Sequence, residues 1–176
     1  TTRCLAMHRP ERLDCVEISP ELAQMSLRHF RDTNLGDELH DHVNMIYMDA
    51  KNYLHLTDRT YDLIINDSIS PKAFAENASL YTREYFQSAL DHLNPDGMLV
   101  CWTPFNMPPD CFKSVVGTFA EVFPHVTVWF PTVRIDHCVL LIGSASKQVF
   151  DPELAASRLS KPDVAENLNG IHLFDT

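Results

Sequence analysis

LDCVEISPELAQMSLRHFRD, residues 13–32, changes periodicity halfway along its length. Leu13 to Ile18 is a short apolar run that reads as a buried strand. From Ser19 onward, Leu22, Met25 and Phe30 recur at near-helical spacing. Ser19 fits an N-cap and Pro20 the first helical position, where a missing N–H goes unneeded and φ is already set. A strand running straight into a capped helix is the repeating half of an α/β sheet.

Outward from this stretch the pattern repeats. VNMIYM (43–48) predicts a strand followed by a short helix from Ala50 to about Leu56, and YDLIIND (61–67) predicts a third strand. A loop from Ser68 to Ser79 leads to the amphipathic TREYFQSALDHL (82–93), which NPDG breaks before the strand GMLVCWT (97–103). PPDCFKSVVGTFAEVF opens on prolines suited to a helix start and sets Phe112, Val115, Val116, Phe119 and Val122 on one face. HVTVWF and DHCVLLIG are separated by a five-residue connection, which suits an antiparallel hairpin better than a helical crossover. DPELAASRLSKPDVAENL predicts one or two short surface helices. The expected fold is a Rossmann-like α/β domain spanning residues 1–176. Its mostly parallel sheet carries helices on both faces and closes on an antiparallel hairpin.

The 14 Lys and Arg against 24 Asp and Glu give a net charge of −10, which lacks the basic footprint that holds a phosphate backbone. Nucleic acid is therefore not expected as a partner, and small cationic molecules suit the field better. Five scattered cysteines without a C-x-x-C pair predict reduced thiols and a cytoplasmic setting. No apolar run reaches membrane-spanning length, so no membrane contact is expected from this segment. The start, TTRCLAMHRP, shows no signal-peptide pattern and reads as an excised or processed boundary. Five glycines are few for a domain of this size, against roughly 7% in ordinary proteins.

In open α/β sheets ligands bind at the carboxyl ends of the strands. Three expected strands end in acids there: Glu17, Asp49 and Asp67. A carboxylate at such a station accepts two hydrogen bonds from a ribose diol. Helix capping or simple solvation is the alternative for Glu17 alone, but three acids at three strand ends point to one crevice.

VEISPELAQMSLRHF, YMDAKNYL, YDLIINDSISP and SLYTREYFQSALDHLNPDGMLVCW together resemble the spermidine synthase family of aminopropyltransferases, built on the class I methyltransferase fold. The likeness runs in order from about Cys4 to Trp102 and continues more weakly through FAEVFPHVTVW to VLLIGS. The resemblance implies that Glu17 binds the ribose hydroxyls of an adenosyl group. It places Asp49 beside the adenine amino group, with the Ala50 backbone as a further contact. Asp67, first acid of the family's D-[ST]-[ST]-D-P segment, would take a proton from an attacking amine. The co-substrate implied is decarboxylated S-adenosylmethionine, with methylthioadenosine as leaving group, a small cationic polyamine as acceptor, no metal, and a homodimer as the assembly.

Two departures bear on specificity. Ser70 stands where the family has its second acid, and a hydroxyl cannot compensate an ammonium charge. KAFAENAS, after Pro71, replaces a glycine-containing gate, where Glu76 either restores a charge or is merely solvated. VCWTPF resembles a divergent, synthase-like branch that includes domains fused to membrane segments. Tyr81 reads as a substrate contact or as a core aromatic at a helix start. Trp102 reads as a wall of the amine site or as a strand-end aromatic packed on the helix from Pro109.

His40, Asp41 and His42 form a tempting triplet, but adjacent side chains diverge and a solvated turn is expected there. Met7, Met25, Met45 and Met48 read as packing residues. The glycine-rich loop should precede Glu17 by about 20 residues, which puts it at or before Thr1. The numbered chain is thus expected to lack that loop and the first strand, and to bind the co-substrate weakly by itself. Two other functions share the scaffold: an S-adenosylmethionine-dependent methyltransferase, and a non-catalytic nucleotide-sensing or assembly domain.

Overall fold

The structure is a computed structural model and describes residues 1–30, 41–68, 75–104, 107–130, 138–162, 164–165 and 168. In chain order the elements are α1 (Thr2–Met7), β1 (Asp14–Glu17), α2 (Pro20–His29), β2 (Asn44–Tyr47), α3 (Ala50–Leu56) and β3 (Tyr61–Asn66). A 3-10 helix (Ala75–Tyr81), α4 (Arg83–Asp91), β4 (Leu93–Pro104), α5 (Pro109–Val122), β5 (His125–Trp129), β6 (Cys138–Ser144) and α6 (Pro152–Leu159) follow. They fall into two compact units, Thr1–Ala50 with Val149–Thr176, and Lys51–Gln148. Among the described residues no helix is long and apolar enough to cross a membrane.

In the first unit β1 and β2 pair in parallel, Val16 against Ile46 and Glu17 against Tyr47. Asn44 Nδ2 donates to Asp14 Oδ1 across the pair at 2.9 Å, and the Arg12 guanidinium sits 2.8 Å from the same carboxylate. Ala6 and Val43 are buried, with Leu13, Cys15, Leu27 and Met45 packed around them. Ser19 caps α2 as the sequence predicts, its Oγ accepting from Leu22 N at 3.2 Å. The buried face of α2 differs from the expected one. Ala23 and Leu27, four apart, turn inward, whereas Leu22, Met25 and Phe30 are exposed. The apolar residues of α2 cover more than one helical face, and the face carrying Ala23 and Leu27 is the inner one.

The second unit holds a four-stranded sheet in the order β3-β4-β6-β5. β3 and β4 are parallel, while β6 runs antiparallel to both β4 and β5, as the closing hairpin predicts. The expected connection at 131–135 lies outside the described residues. Along β4, Gly97, Leu99, Cys101 and Thr103 are buried while the residues between them are half-buried, the period of two that a pleated strand imposes. Phe86 of α4 and Phe119 of α5 pack with Leu99, Val139 and Leu141 to form the core.

β4 begins four residues earlier than the breaker NPDG predicts. The chain keeps β3 as its partner through an irregularity between Tyr61 and Leu63, and Asn94 Nδ2 donates to Asp62 Oδ1 at 2.7 Å. Gly97 makes this possible: a Cβ there would lie 2.7 Å from the Tyr61 carbonyl oxygen and 3.0 Å from that of Asn94. Both obstacles are backbone and cannot swing aside. Gly97→Ala is expected to cost about 1–3 kcal/mol through overpacking. An unchanged urea midpoint would contradict this account.

Candidate functional site

Each acid stands at or just beyond the carboxyl end of its strand. Glu17 is the last residue of β1, and its Oε1 accepts from Ser19 N at 2.9 Å. The carboxylate therefore braces the turn into α2, which supports the capping reading. The same residue borders a cavity of about 630 Å³, whose lining includes Leu22, Met25, Phe30 and Met45. Asp49, half-buried, immediately precedes α3, where a short acid commonly accepts from first-turn N–H groups. Ala50 is the first residue of that helix.

In the second unit Asp67 follows β3 directly and is exposed. Around it lies a polar cluster in which the sequence reading named Tyr81 and Trp102 but missed Asn66. Asn66, only 4% exposed, donates through Nδ2 to the Leu80 carbonyl at 3.0 Å and approaches Cys101 Sγ at 3.5 Å. Its Oδ1 accepts from Ser68 N at 3.3 Å, spanning Asp67. Ser68 Oγ donates to Tyr81 Oη at 3.4 Å, and Tyr81 Oη donates to the Trp102 carbonyl at 3.0 Å. Thr103 Oγ1 donates to the Cys101 carbonyl at 3.5 Å. An amide ending the otherwise apolar LII run of β3 is the signal that could have revealed Asn66.

Tyr81 and Trp102 are thus brought together, through a hydroxyl and a backbone carbonyl. Tyr81 is buried at the end of the 3-10 helix, and Trp102 lies half-buried in β4 opposite Leu140. Burial pushes the Tyr81 phenol up to about 12, against the hydrogen bond from Ser68 and with the charges of Cys101 and Asp67 adding to the rise. The phenol is therefore a neutral donor at physiological pH, as its bond to Trp102 requires. Burial likewise pushes the Cys101 thiol up to about 12, partly opposed by hydrogen bonds from Thr103 and Asn66. That thiol is protonated at neutral pH and is no nucleophile.

Ser70, His40 and the side chain of Glu76 lie outside the described residues. Asp41 and His42 are exposed in a turn. Among the described residues no group of three His, Cys, Asp or Glu could hold a metal ion.

The fold has well-defined relatives. It superposes on a spermidine synthase solved with the transition-state analogue AdoDATO, at a TM-score of 0.68 and 18% identity, over 92% of this chain and 62% of that one. Human methyltransferase-like protein 13, solved with SAH, matches at a TM-score of 0.63 and 17% identity, over 90% of this chain and 71% of that one. At these identities the likeness shows the Rossmann-like methyltransferase fold alone. In sequence, polyamine aminopropyltransferase 2 of Hyperthermus butylicus is 25% identical over 94% of this chain and 54% of its own length. The polyamine aminopropyltransferase of Clostridium botulinum (strain Eklund 17B) is 31% identical over 81% of this chain and 50% of its own length. The chain thus spans about half the length of the curated relatives it matches. Residues 1–150, which carry all three strand-end acids and the cluster around Asn66, match the spermine/spermidine synthase domain, and the chain belongs to that family.

Proposed function

We propose that this chain is the catalytic part of an aminopropyltransferase, moving an aminopropyl group from decarboxylated S-adenosylmethionine to a small polyamine. The observation that carries the reading is the placement of Asp67, an exposed carboxylate directly after β3 within the stretch that matches the family. In this reading Glu17 holds the ribose hydroxyls, and Asp49 with the Ala50 backbone holds the adenine. Ser70, Tyr81 and Trp102 shape the amine side.

An alkylamine is protonated at neutral pH and has no lone pair to offer, so a carboxylate must bind the ammonium and remove its proton as attack proceeds. The amine nitrogen then attacks the aminopropyl carbon next to the sulfonium. A C–N bond forms, the C–S bond breaks, and its electron pair remains on sulfur in neutral methylthioadenosine. The proton passes to Asp67. Alignment of nitrogen, carbon and sulfur supplies much of the rate. The acidic balance of the chain favours both cationic reactants.

The test is product formation. The natural full-length protein, incubated with decarboxylated S-adenosylmethionine and a panel of diamines, is expected to release methylthioadenosine. Its absence with every amine overturns the proposal. Tighter calorimetric binding of the carboxylated form, together with methyl transfer, would make the protein a methyltransferase instead.

A further inference from the structure

We propose that Asn66 is a positioning residue for Asp67, tying the acid to the end of the 3-10 helix. This inference rests on Asp67 being the proton acceptor. The two ends of one carboxamide do different work. Oδ1 takes the Ser68 N–H at 3.3 Å, beyond the acid, and Nδ2 gives a proton to the Leu80 carbonyl at 3.0 Å. Leu80 adjoins Tyr81, whose hydroxyl receives the Ser68 Oγ proton at 3.4 Å and passes its own to Trp102 at 3.0 Å. The bonds close a ring running Asn66, Ser68, Tyr81, Leu80 and back to Asn66. Asp67 is the residue that this ring spans.

The chemistry needs such a tie because Asp67 is exposed and follows the last strand residue. A general base acts only within hydrogen-bond reach of its proton, so the backbone that carries an exposed carboxylate must be held in place. Asn66 itself is anchored by position. It pairs with Cys101 in the parallel register of β3 and β4 and is 4% exposed. Buried amides are retained where both ends are satisfied, since an unpaired end costs its desolvation. Aspartate in its place lacks the donor for Leu80, and leucine of similar shape lacks both donor and acceptor.

The experiment compares wild type, Asn66→Leu and Asn66→Asp in the natural full-length protein. Steady-state kinetics are measured for methylthioadenosine release, calorimetry for decarboxylated S-adenosylmethionine, and amide hydrogen exchange at Ser68. Asn66→Leu is expected to lower kcat about 10- to 100-fold, as misplacement of a reacting group does. Co-substrate affinity is expected to stay within about twofold, because uniform binding is untouched. Exchange protection of the Ser68 amide is expected to fall. A folded variant with kcat within about twofold of wild type overturns the proposal, as does a change confined to KM. Should Asn66→Leu fail to fold, Asn66→Asp decides on kcat and co-substrate affinity, because its carboxylate still accepts from Ser68 N while the donor to Leu80 is lost. If wild type releases no methylthioadenosine, the aminopropyl reading fails by itself. The tie is then judged on Ser68 exchange, where equal protection in wild type and Asn66→Leu overturns it.

Discussion

Asp67→Asn is expected to lower kcat for methylthioadenosine release by about 10²- to 10⁴-fold, the range that a positioned general base contributes. Asparagine keeps the size and planarity of the side chain and still accepts a hydrogen bond, so the loop after β3 has no steric reason to move. It loses the charge that attracts an ammonium and the basicity that removes its proton. Co-substrate affinity, assigned to Glu17, Asp49 and Ala50, is expected to hold. An independent reporter lies next to the acid. The Asp67 charge helps raise the Tyr81 phenol. Its removal lowers that value, and Tyr81 then ionises at a lower pH in a spectrophotometric titration. Retention of activity within about threefold in a folded variant would remove Asp67 from the chemistry. Preserved biological activity without turnover would favour a non-catalytic sensing or assembly role.

The largest effect on stability is expected at Phe119. Its side chain is 0% exposed. It meets Phe86 edge-on, with ring centroids 4.9 Å apart and planes at 78°, and stacks on Phe123 at 4.6 Å. The first geometry sets the positive ring edge against a negative face, which adds to the energy of burial. Beneath these rings runs β6, where Gly143 leaves room: a Cβ there would stand 2.7 Å from the Phe119 ring. Phe119→Ala removes the hub of this arrangement and leaves a cavity that neighbouring rings fill only in part. The expected loss is about 3–5 kcal/mol, a large share of the roughly 5–15 kcal/mol that holds an ordinary domain folded. Urea denaturation followed by far-UV circular dichroism measures it. A loss below about 1 kcal/mol would mean that the rings do not carry this core.

The sequence pattern placed helices best where local chemistry decides the boundary. Ala50–Leu56 forms as predicted and Ser19 caps the helix it precedes, while the caps at Thr82 and Asp151 emerge only in the structure. Strands were placed to within a residue or two where β-branched runs end abruptly, as at Asn66 and Trp129. The start of β4 was hidden because the forces that extend it act across strands, through Asn94 on Asp62 and the tolerance of Gly97 for the Tyr61 carbonyl. The inner face of α2 was hidden because apolar periodicity does not say which of two faces meets the core. The strand-end acids were legible as charges terminating apolar runs. The ties of Asn66 to Leu80 and of Tyr81 to Trp102 were not, since bonds from side chain to backbone over long separations leave no local pattern.

The placement of β4 between β3 and β6 bears on how the second unit assembles. Both of its partners are remote in sequence: a 3-10 helix and α4 intervene on one side, α5 and β5 on the other. β5 and β6 are neighbours in the chain and pay little loop-closure entropy, so their pairing is fast, whereas docking β4 must await long closures on both edges. During synthesis β4 is made before β6. For that interval Leu99 and Cys101 lie on a strand with an unpaired edge, the kind of surface that holding chaperones protect and that aggregates when they do not.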